Sequence, residues 1–526
     1  MEPSSAIKPA RRGMGRKAGH KAAVFALSVI MTLGAWGAQI TVTAFAAQAA
    51  SGTYAQAFPD ANFRAAVLAQ FTDGAPRTGS SPLTGADKVF LANNIPNQSL
   101  DVSNKNIADL AGIEYFMGLK MLNCNDNQLT TLDVTHNTTL MGLNCYGNQL
   151  TSLNVSQNSA LTGLSCFNNQ LTTLDVTHNT ALTGLSCSGN QLTILDVSHN
   201  TALTRLLCDY NQLTSLDVSR NTALVDLYCI SNQLKSLNAL HNIALTRLSC
   251  DGIQLTSLDV SHNTALTSLT CGLSRLTSLD VSHNTALVSL QCNDNLLKAL
   301  DVSHNTALEE LRCNNNQLAS LDLSHNTALA TLACYENRLT SLDLSHNTAL
   351  TDLSCFNNQL TSLDLSHNTA LTYLVCGSNQ LASLDVTHNT ALTILYCGYN
   401  KLTSLDVTHN AALGALYCYG NQLTSLDVSH NTALVTLRCF YNKMPSPDSV
   451  NGWKKLGLTI NSPEGTSNES FWFYTQDVAA AQIQSAAPPQ PRTQAIPAAA
   501  FHAAALAYTI KFLIDQGGFL WIHQQQ

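Results

Sequence analysis

The chain has 526 residues, only 11% of them charged, and its formal net charge is −8. Basic residues cluster only near the N-terminus, and this acidic balance argues against a nucleic acid or an anionic membrane surface as the partner. Leucine is abundant, so the composition permits a large hydrophobic core and excludes a wholly disordered chain.

The first 49 residues are typical of an export signal. Arg11, Arg12 and Lys17 lie in a basic stretch, an apolar run follows over residues 22–38, and small residues then provide Ala-x-Ala cleavage sites. The run is long for a signal peptide, so an uncleaved membrane anchor is the alternative. Removing this segment would take away six basic residues and one acidic residue and change the net charge from −8 to −13. We therefore predict a secreted or cell-surface protein.

The body of the chain is one unit copied many times. The unit L-x-x-L-x-C-x-x-N-x-L-x-x-L-D-V-S-H-N-T-A returns every 21 residues from Leu119 to Asn442, which gives sixteen coils, the last one cut short. Its first part alternates apolar and variable positions, which predicts a short parallel strand with the leucines and the cysteine inward. The L-D-V part alternates too, so a second short extended segment is plausible there. Since one coil cannot bury its own apolar edge, the coils must stack.

These features predict a leucine-rich-repeat solenoid. Parallel strands would line its concave face, short extended or irregular return segments would form its convex side, and a small helical N-terminal cap would cover its first coil. The predicted segments are a signal peptide (1–49), an N-terminal cap with a half-repeat (50–118), sixteen repeats (119–442), a C-terminal cap (443–477) and a disordered Ala/Pro/Gln-rich tail (478–526).

All sixteen cysteines occupy the same position of the unit. An even number in an exported protein normally suggests disulfides, but side chains stacked in parallel point the same way, which disfavours the disulfide torsion. We predict a structural ladder of buried, reduced cysteines that pack as small apolar side chains and bind no metal. The ladder comprises Cys124, Cys145, Cys166, Cys187, Cys208, Cys229, Cys250, Cys271, Cys292, Cys313, Cys334, Cys355, Cys376, Cys397, Cys418 and Cys439.

Two files of asparagine mark the corners of the coils, where an amide can satisfy backbone groups. The file at the ninth position of the unit fails only at Ile253 and Ser274, in adjacent coils, and this gap indicates either a local bend or simple drift. Histidine precedes the other asparagine in thirteen of fifteen coils. That histidine file could respond to pH or hold metal weakly, but an exposed turn residue copied by duplication is the simpler interpretation. We predict no cofactor.

The array resembles the leucine-rich repeats of the internalin family of bacterial surface proteins, in particular those whose repeats carry a cysteine ladder. The blocks Phe58–Arg64, Leu100–Lys105 and Gly112–Phe116 are similar to the cap of related exported repeat proteins. The resemblance covers roughly residues 58–476 and implies secreted or cell-surface adhesion to host or microbial glycoproteins. The wall-sorting motif L-P-x-T-G of many relatives does not occur in this sequence, so we do not expect covalent wall anchoring.

The sixteen coils also serve as an internal alignment. Their return side is nearly constant, whereas the third, fifth, seventh and eighth positions, which would line the concave face, vary strongly. Middle coils carry charges there and late coils carry aromatic rings, which are favoured at binding surfaces, although tyrosine is also a good strand former. The predicted partner-binding residues are Arg205, Arg247, Arg312, Phe356, Tyr373, Tyr396, Tyr399, Tyr417, Tyr419, Phe440 and Tyr441.

We therefore predict an adhesion module that binds an extracellular protein or glycoprotein through its concave face. A passive stalk or spacer and a glycan-binding surface protein are the alternatives. An enzyme is not expected, because the Ser, His and Asp residues are repetitive and no unique catalytic pair stands out. We expect a monomer that meets a membrane only through an uncleaved signal segment.

Overall fold

The computed structural model describes residues 52–460, 470–474 and 476. The predicted signal peptide (1–49) and the predicted tail (478–526) lie outside the described residues. No helix in the described ranges is long and apolar enough to cross a lipid bilayer.

Three short α-helices precede the repeats in the part of the chain that the structure describes. Asp60 begins the second helix by accepting hydrogen bonds from the backbone N–H groups of Asn62 and Phe63, both at 2.9 Å. Thr84 and Asp87 form a capping box at the start of the third helix. The expected helical N-terminal cap is confirmed. The helices are α1 (Tyr54–Ala57), α2 (Ala61–Leu68) and α3 (Gly85–Asn93), and short 3₁₀ turns occur at Pro96–Gln98, Ile113–Tyr115, Pro447–Ser449 and Trp453–Leu456.

The repeats build one parallel sheet. Among the described residues it contains eighteen strands, β1 to β16 followed by β18 and β20, and each strand pairs with the next along the chain. Leu122 lies opposite Leu143 and Leu143 opposite Leu164, so every step of the register is one repeat. The predicted parallel solenoid is therefore confirmed. The strands are β1 (Ser99–Asp101), β2 (Met121–Asn123), β3 (Gly142–Asn144), β4 (Gly163–Ser165), β5 (Gly184–Ser186), β6 (Arg205–Leu207), β7 (Asp226–Tyr228), β8 (Arg247–Ser249), β9 (Ser268–Thr270), β10 (Ser289–Gln291), β11 (Glu310–Arg312), β12 (Thr331–Ala333), β13 (Asp352–Ser354), β14 (Tyr373–Val375), β15 (Ile394–Tyr396), β16 (Ala415–Tyr417), β17 (Leu426–Asp427), β18 (Thr436–Arg438), β19 (Val450–Asn451) and β20 (Phe471–Trp472).

The core is a stack of identical apolar layers. In the second coil Leu140, Leu143, Cys145, Leu150 and Val155 are all 0% exposed, and the same positions are buried in the other coils. Burying one leucine side chain contributes about 1.5–3 kcal/mol. Because each layer packs on its neighbours, the stability of a coil depends on the coils beside it.

The ninth-position asparagines tie each coil to the one before it. Nδ2 of Asn148 donates to the carbonyls of Cys124 and Cys145, both at 3.0 Å, and its Oδ1 accepts the N–H of Leu129 at 3.0 Å. The other file works similarly, since Nδ2 of Asn158 donates to the carbonyl of Val134 at 3.0 Å. These amides satisfy backbone groups that would otherwise be buried without partners.

The gap in the ninth-position file changes the corner and leaves the sheet intact. The side chain of Ile253 is buried and has no hydrogen-bond donor. In the next coil, the hydroxyl of Ser274 donates to the backbone carbonyl of Ile253 at 2.8 Å. Leu273 beside it has a φ of 50° and is 47% exposed. Strands β7, β8 and β9 nevertheless pair in the ordinary register. The irregularity is therefore local to this edge of the coils.

The return segments are mainly irregular. In the described chain, the L-D-V part forms a strand only at β17, which pairs with β19, and single bridges join Asp133 to Asn154 and Asp406 to Asp427. The aspartate carboxylate accepts the N–H two residues later, as Asp175 does from Thr177 at 2.9 Å. Asp427 makes the same contact in β17, so this hydrogen bond is compatible with both forms of the segment. The irregular form of the predicted return segment is thus the prevailing one.

The described part of the C-terminal segment covers the last coil. Strand β20 adds to β18, with Phe471 opposite Leu437, and β19 adds to β17. Phe471 is 0% exposed and Phe473 1% exposed, and the ring of Trp453 lies 5.2 Å from that of Phe471. These rings close the apolar edge that the final repeat would otherwise expose.

Candidate binding surface

One side of the parallel sheet faces away from the core, and we call it the strand face. It is formed by the third, fifth, seventh and eighth residues of each coil, which in the fifteenth coil are Ala415, Tyr417, Tyr419 and Gly420. The alternation of a strand sends their neighbours inward, so the variable positions of the sequence all share this face.

The cysteine ladder lies on the opposite side of the strands. All sixteen cysteines are buried and none forms a disulfide. Burial raises the pKa of the Cys124 thiol to about 12 and that of the Cys355 thiol to about 12, because the core cannot solvate a thiolate. These thiols therefore pack as apolar groups and present no nucleophile to solvent.

The predicted arginines of the middle coils are ion-paired. Asp226 lies between Arg205 and Arg247, with N–O distances of 3.0 Å and 2.8 Å, and its side chain is only 5% exposed. Arg312 contacts Glu310 within its own strand at 2.5 Å. Much of the charge of these arginines is thus balanced within the strand face, although each remains more than 40% exposed.

Aromatic residues of the late coils divide into separate groups. Phe356 stacks on Tyr335, with ring centroids 4.4 Å apart and an angle of 11° between the rings. Tyr373 stands in the next coil and is 37% exposed. We use the name aromatic cluster for the remaining six rings, which are in contact with one another: Tyr396, Tyr399, Tyr417, Tyr419, Phe440 and Tyr441.

Tyr419 lies at the centre of the aromatic cluster. Its ring is parallel to Phe440 at 4.5 Å and edge-on to Tyr396 at 5.6 Å and Tyr399 at 5.1 Å. Its hydroxyl shares a 2.5 Å hydrogen bond with that of Tyr396. Such ring pairs contribute roughly 0.5–1.5 kcal/mol beyond their area. The cluster is therefore held in one arrangement without a ligand.

Two glycines leave room for the rings of Tyr396 and Tyr419. A Cβ atom on Gly377 would overlap the ring of Tyr396, and one on Gly398 would lie 3.3 Å from the ring of Tyr419. Each ring leans over the glycine of the preceding coil. The result is a low aromatic surface whose six side chains are all partly exposed.

Two further residues, which were not predicted from the sequence, belong to this surface. The guanidinium of Arg438 lies 5.4 Å from the ring centre of Tyr417 and 5.3 Å from that of Trp472. Trp472 comes from β20, outside the repeat, so the 21-residue pattern gave no indication that it would join this face. Arg438 occupies the fifth position of its coil, which is one of the variable strand-face positions, and it could have been selected from the sequence on that basis.

The strand face also holds the buried Asp209 and the half-buried Asp251 in its middle coils. Asp209 is 4% exposed, and it accepts the N–H of Ile230 at 2.8 Å and the hydroxyl of Ser188 at 3.3 Å. Burial raises its pKa to about 7. Burial also raises the pKa of Asp251, which accepts the N–H of Gly272. Both bridge neighbouring coils, and this role was not evident from the sequence.

The histidine file lies on the return side and is exposed to solvent. Nδ1 of His388 lies 3.4 Å from the hydroxyl of Thr387, and Nδ1 of His325 lies 3.1 Å from that of Ser324. No group of three or more His, Cys, Asp or Glu residues suited to a metal ion occurs within the described ranges. These contacts fit an exposed turn residue.

Comparisons with known proteins agree with this geometry. No protein-family profile matches the chain. The functional domain of InlJ from Listeria monocytogenes, which includes a cysteine ladder, is 36% identical with a TM-score of 0.66, covering 76% of this chain and 87% of that one. Internalin J from L. monocytogenes serotype 4b is 37% identical over 81 residues, 15% of this chain and only 8% of that protein. A leucine-rich-repeat protein of Leptospira interrogans shares the fold at 23% identity and a TM-score of 0.59, covering 69% and 94% of the two chains.

A capped stack of repeats with one variable outer face defines a leucine-rich-repeat interaction scaffold. The sequence identity to the InlJ domain and the shared cysteine ladder indicate the family within this class of scaffolds. It belongs to the internalin family of bacterial leucine-rich-repeat proteins, as the sequence resemblance indicated.

Proposed function

We propose that the protein is an exported adhesion module that holds an extracellular protein or glycoprotein on the C-terminal part of its strand face. The observation that carries this proposal is the aromatic cluster, six contacting rings on three consecutive coils of an interaction scaffold. Tyrosine and phenylalanine are enriched where proteins bind partners, because they offer large contact area with few rotatable bonds.

The arrangement of the rings favours a binding role over the alternative that tyrosine occurs here only because it is a good strand former. Their mutual contacts and the Tyr396–Tyr419 hydrogen bond fix the side chains before a partner arrives. A surface ordered in advance loses less conformational entropy on binding, which raises affinity. Gly377 and Gly398 leave room for the rings of Tyr396 and Tyr419, so the glycines belong to the same surface.

The proposal that the protein is exported rests on the signal-like sequence of residues 1–49 and on the family to which the chain belongs. We propose a secreted or cell-surface location and a monomer, with no cofactor. We assign no catalytic role, because the cysteines are buried and the exposed Ser, His and Asp residues repeat along the return side without forming a distinct site.

The test is binding of the mature protein to a panel of extracellular proteins and glycoproteins, measured by surface plasmon resonance. Replacing Tyr396, Tyr417 and Tyr419 together with alanine should weaken binding at least about tenfold, a factor that corresponds to 1.4 kcal/mol. The matched control is Tyr146→Ala with Phe167→Ala, because those two rings stack at 4.2 Å on early coils of the same face.

The control should bind as the wild type does. Unchanged binding by the triple variant would overturn the assignment of this surface. If the wild type bound no member of the panel, a passive stalk would be the better description. Circular dichroism of each variant checks that the solenoid is folded.

A further inference from the structure

The C-terminal coils of the strand face have an unusual charge balance. From residue 371 to residue 442, the third, fifth, seventh and eighth positions include no acidic residue. The acidic residues of these coils, Asp385, Asp406 and Asp427, lie on the return side, where each accepts a backbone N–H of its own turn. In a chain of net charge −8, these positions of the last four coils therefore carry no negative charge.

Positive charge is present at the same end. The strand face carries four arginines, at positions 205, 247, 312 and 438, and the first three contact Asp226 or Glu310. Arg438 forms no ion pair with any residue that the structure describes, and its guanidinium is exposed between the rings of Tyr417 and Trp472. Its charge is therefore available to a ligand.

Two lysines stand at the edge of the same surface. Nζ of Lys401 donates to Oε1 of Gln380 at 3.3 Å, and Nζ of Lys443 donates to Oε1 of Gln422 at 2.9 Å. Both acceptors are neutral amides of the preceding coil, so the positive charge is positioned without being cancelled. An anionic group placed over the aromatic cluster would find cations nearby and no carboxylate among the described residues of these strand-face positions.

The shape of the aromatic cluster limits what the ligand can be. The rings pack over glycines and against one another, some edge-on and some in parallel, so the surface offers ring faces and edges. Within the described chain, the hydroxyls of Tyr399, Tyr417 and Tyr441 make no hydrogen bond to protein. The electron-rich face of an aromatic ring attracts the weakly positive C–H groups of a sugar ring, and free hydroxyls suit its O–H groups.

Resting on the proposed function, we propose that this end of the strand face recognises a carboxylate-bearing sugar residue of an extracellular glycan. Arg438 faces the carboxylate, which the planar guanidinium fits by paired hydrogen bonds, and the aromatic cluster faces the sugar ring. A highly charged polyanion is disfavoured, because the rest of the acidic protein repels it. A single acidic sugar within a glycan avoids that penalty.

The experiment compares ligands that differ only in the carboxylate. Sialyllactose is titrated against lactose, and a glucuronic-acid disaccharide against its carboxyl-reduced form, by calorimetry on the mature protein at low and physiological salt. At least one acidic sugar should bind roughly tenfold tighter than its neutral counterpart, which equals 1.4 kcal/mol. The difference should shrink with added salt, since the pair is partly exposed.

Arg438→Gln should abolish the preference, so that the acidic and neutral members of each pair bind with equal affinity. Tyr419→Ala should weaken both. Arg338→Gln is the matched control, because Arg338 is an exposed arginine beside the strand face in an earlier coil, and it should have no effect. Equal affinity for each acidic and neutral pair, or no saccharide binding at all, would overturn the inference. So would equal binding of an acidic peptide such as tetra-glutamate.

A glycoprotein from the panel separates this inference from the proposed function. If enzymatic removal of its acidic sugars abolishes binding, both stand. If the sugar-free protein still binds and still requires Tyr396, Tyr417 and Tyr419, the adhesion function stands and the saccharide inference falls. If binding ignores the tyrosines altogether, both fall.

Discussion

At the scale of single residues, the buried asparagine at the ninth position of a coil links that coil to the preceding one. Asn316 donates to the carbonyls of Cys292 and Cys313, at 3.0 Å and 3.1 Å, and accepts the N–H of Leu297 at 3.0 Å. Asparagine at this position of the repeat was predicted to satisfy backbone groups. Which groups it would contact could not be read from the sequence, because two of the partners, Cys292 and Leu297, lie in the preceding coil.

Asn316→Ala should destabilise the protein substantially. Each buried backbone group left without a partner costs about 1–3 kcal/mol, so we expect a loss of roughly 3 kcal/mol in the free energy of unfolding of that region. Chemical denaturation followed by circular dichroism measures it. Ile253→Asn, which restores the amide at the gap in the file, is the opposite change and should cost much less. Equal losses in the two variants would contradict this role.

The cysteine thiols should not react with alkylating reagents in the folded protein. Burial raises the pKa of Cys418 to about 12, and its neighbours in the ladder are buried too, so thiolate is scarce at pH 8. We expect no alkylation by iodoacetamide in the native state and sixteen modified cysteines after unfolding without reductant. Mass spectrometry counts the labels. Fewer than sixteen labels after unfolding would reveal disulfides and contradict the ladder.

Asp209 gives the stability a pH dependence of defined sign. Burial raises its pKa from 3.8 to about 7, so the folded state favours the protonated form. Its contribution to stability is greatest below about pH 4 and falls as the pH rises towards 7, after which it is constant. Asp209→Asn removes this charge. It should raise the stability at pH 8 by up to about 3 kcal/mol and have little effect at pH 4, with thermal unfolding as the measurement. An equal effect at the two values would contradict the assignment.

At the scale of elements, the strands were predictable and the return segments were only partly so. Alternation of leucine and cysteine with variable residues determines which side of each strand is buried, and the sheet follows. The L-D-V segment alternates in the same way, yet in the described chain it pairs as a strand only at β17. At β17 the partner strand β19 comes from the segment after the last repeat, which has no counterpart in the repeat unit.

The C-terminal strand β20 should protect the last coil from solvent exchange. The N–H of Leu437 donates to the carbonyl of Ser470 at 2.7 Å, and that of Cys439 donates to Trp472 at 2.9 Å. Truncation after residue 460 removes both acceptors, so we expect faster hydrogen exchange over residues 434–442. Exchange in the early coils should be unchanged, because each coil contacts mainly its neighbours. Truncation after residue 477 keeps β20 and serves as the control. Unchanged exchange over 434–442 in the shorter protein would contradict this role.

At the scale of the whole molecule, the repeat acts as its own alignment and identifies the strand face. It could not show which residues on that face are in contact. Phe356 and Tyr373 were grouped with the late aromatic residues, but Phe356 stacks on Tyr335 instead. The three predicted arginines pair with acids on the same or adjacent strands, and these pairings depend on side-chain conformation. Trp472 reaches the face only through the pairing of β20, which follows no repeat.

The central claim is that one end of one face binds the partner. Hydrogen exchange with mass spectrometry, on the protein alone and saturated with a bound member of the panel, tests it most directly. We predict protection concentrated in residues 394–399, 415–420 and 436–441, where the rings of the aromatic cluster lie. The return segments of the same coils should exchange unchanged. Protection confined to the return side, or to the early coils of the strand face, would contradict the account.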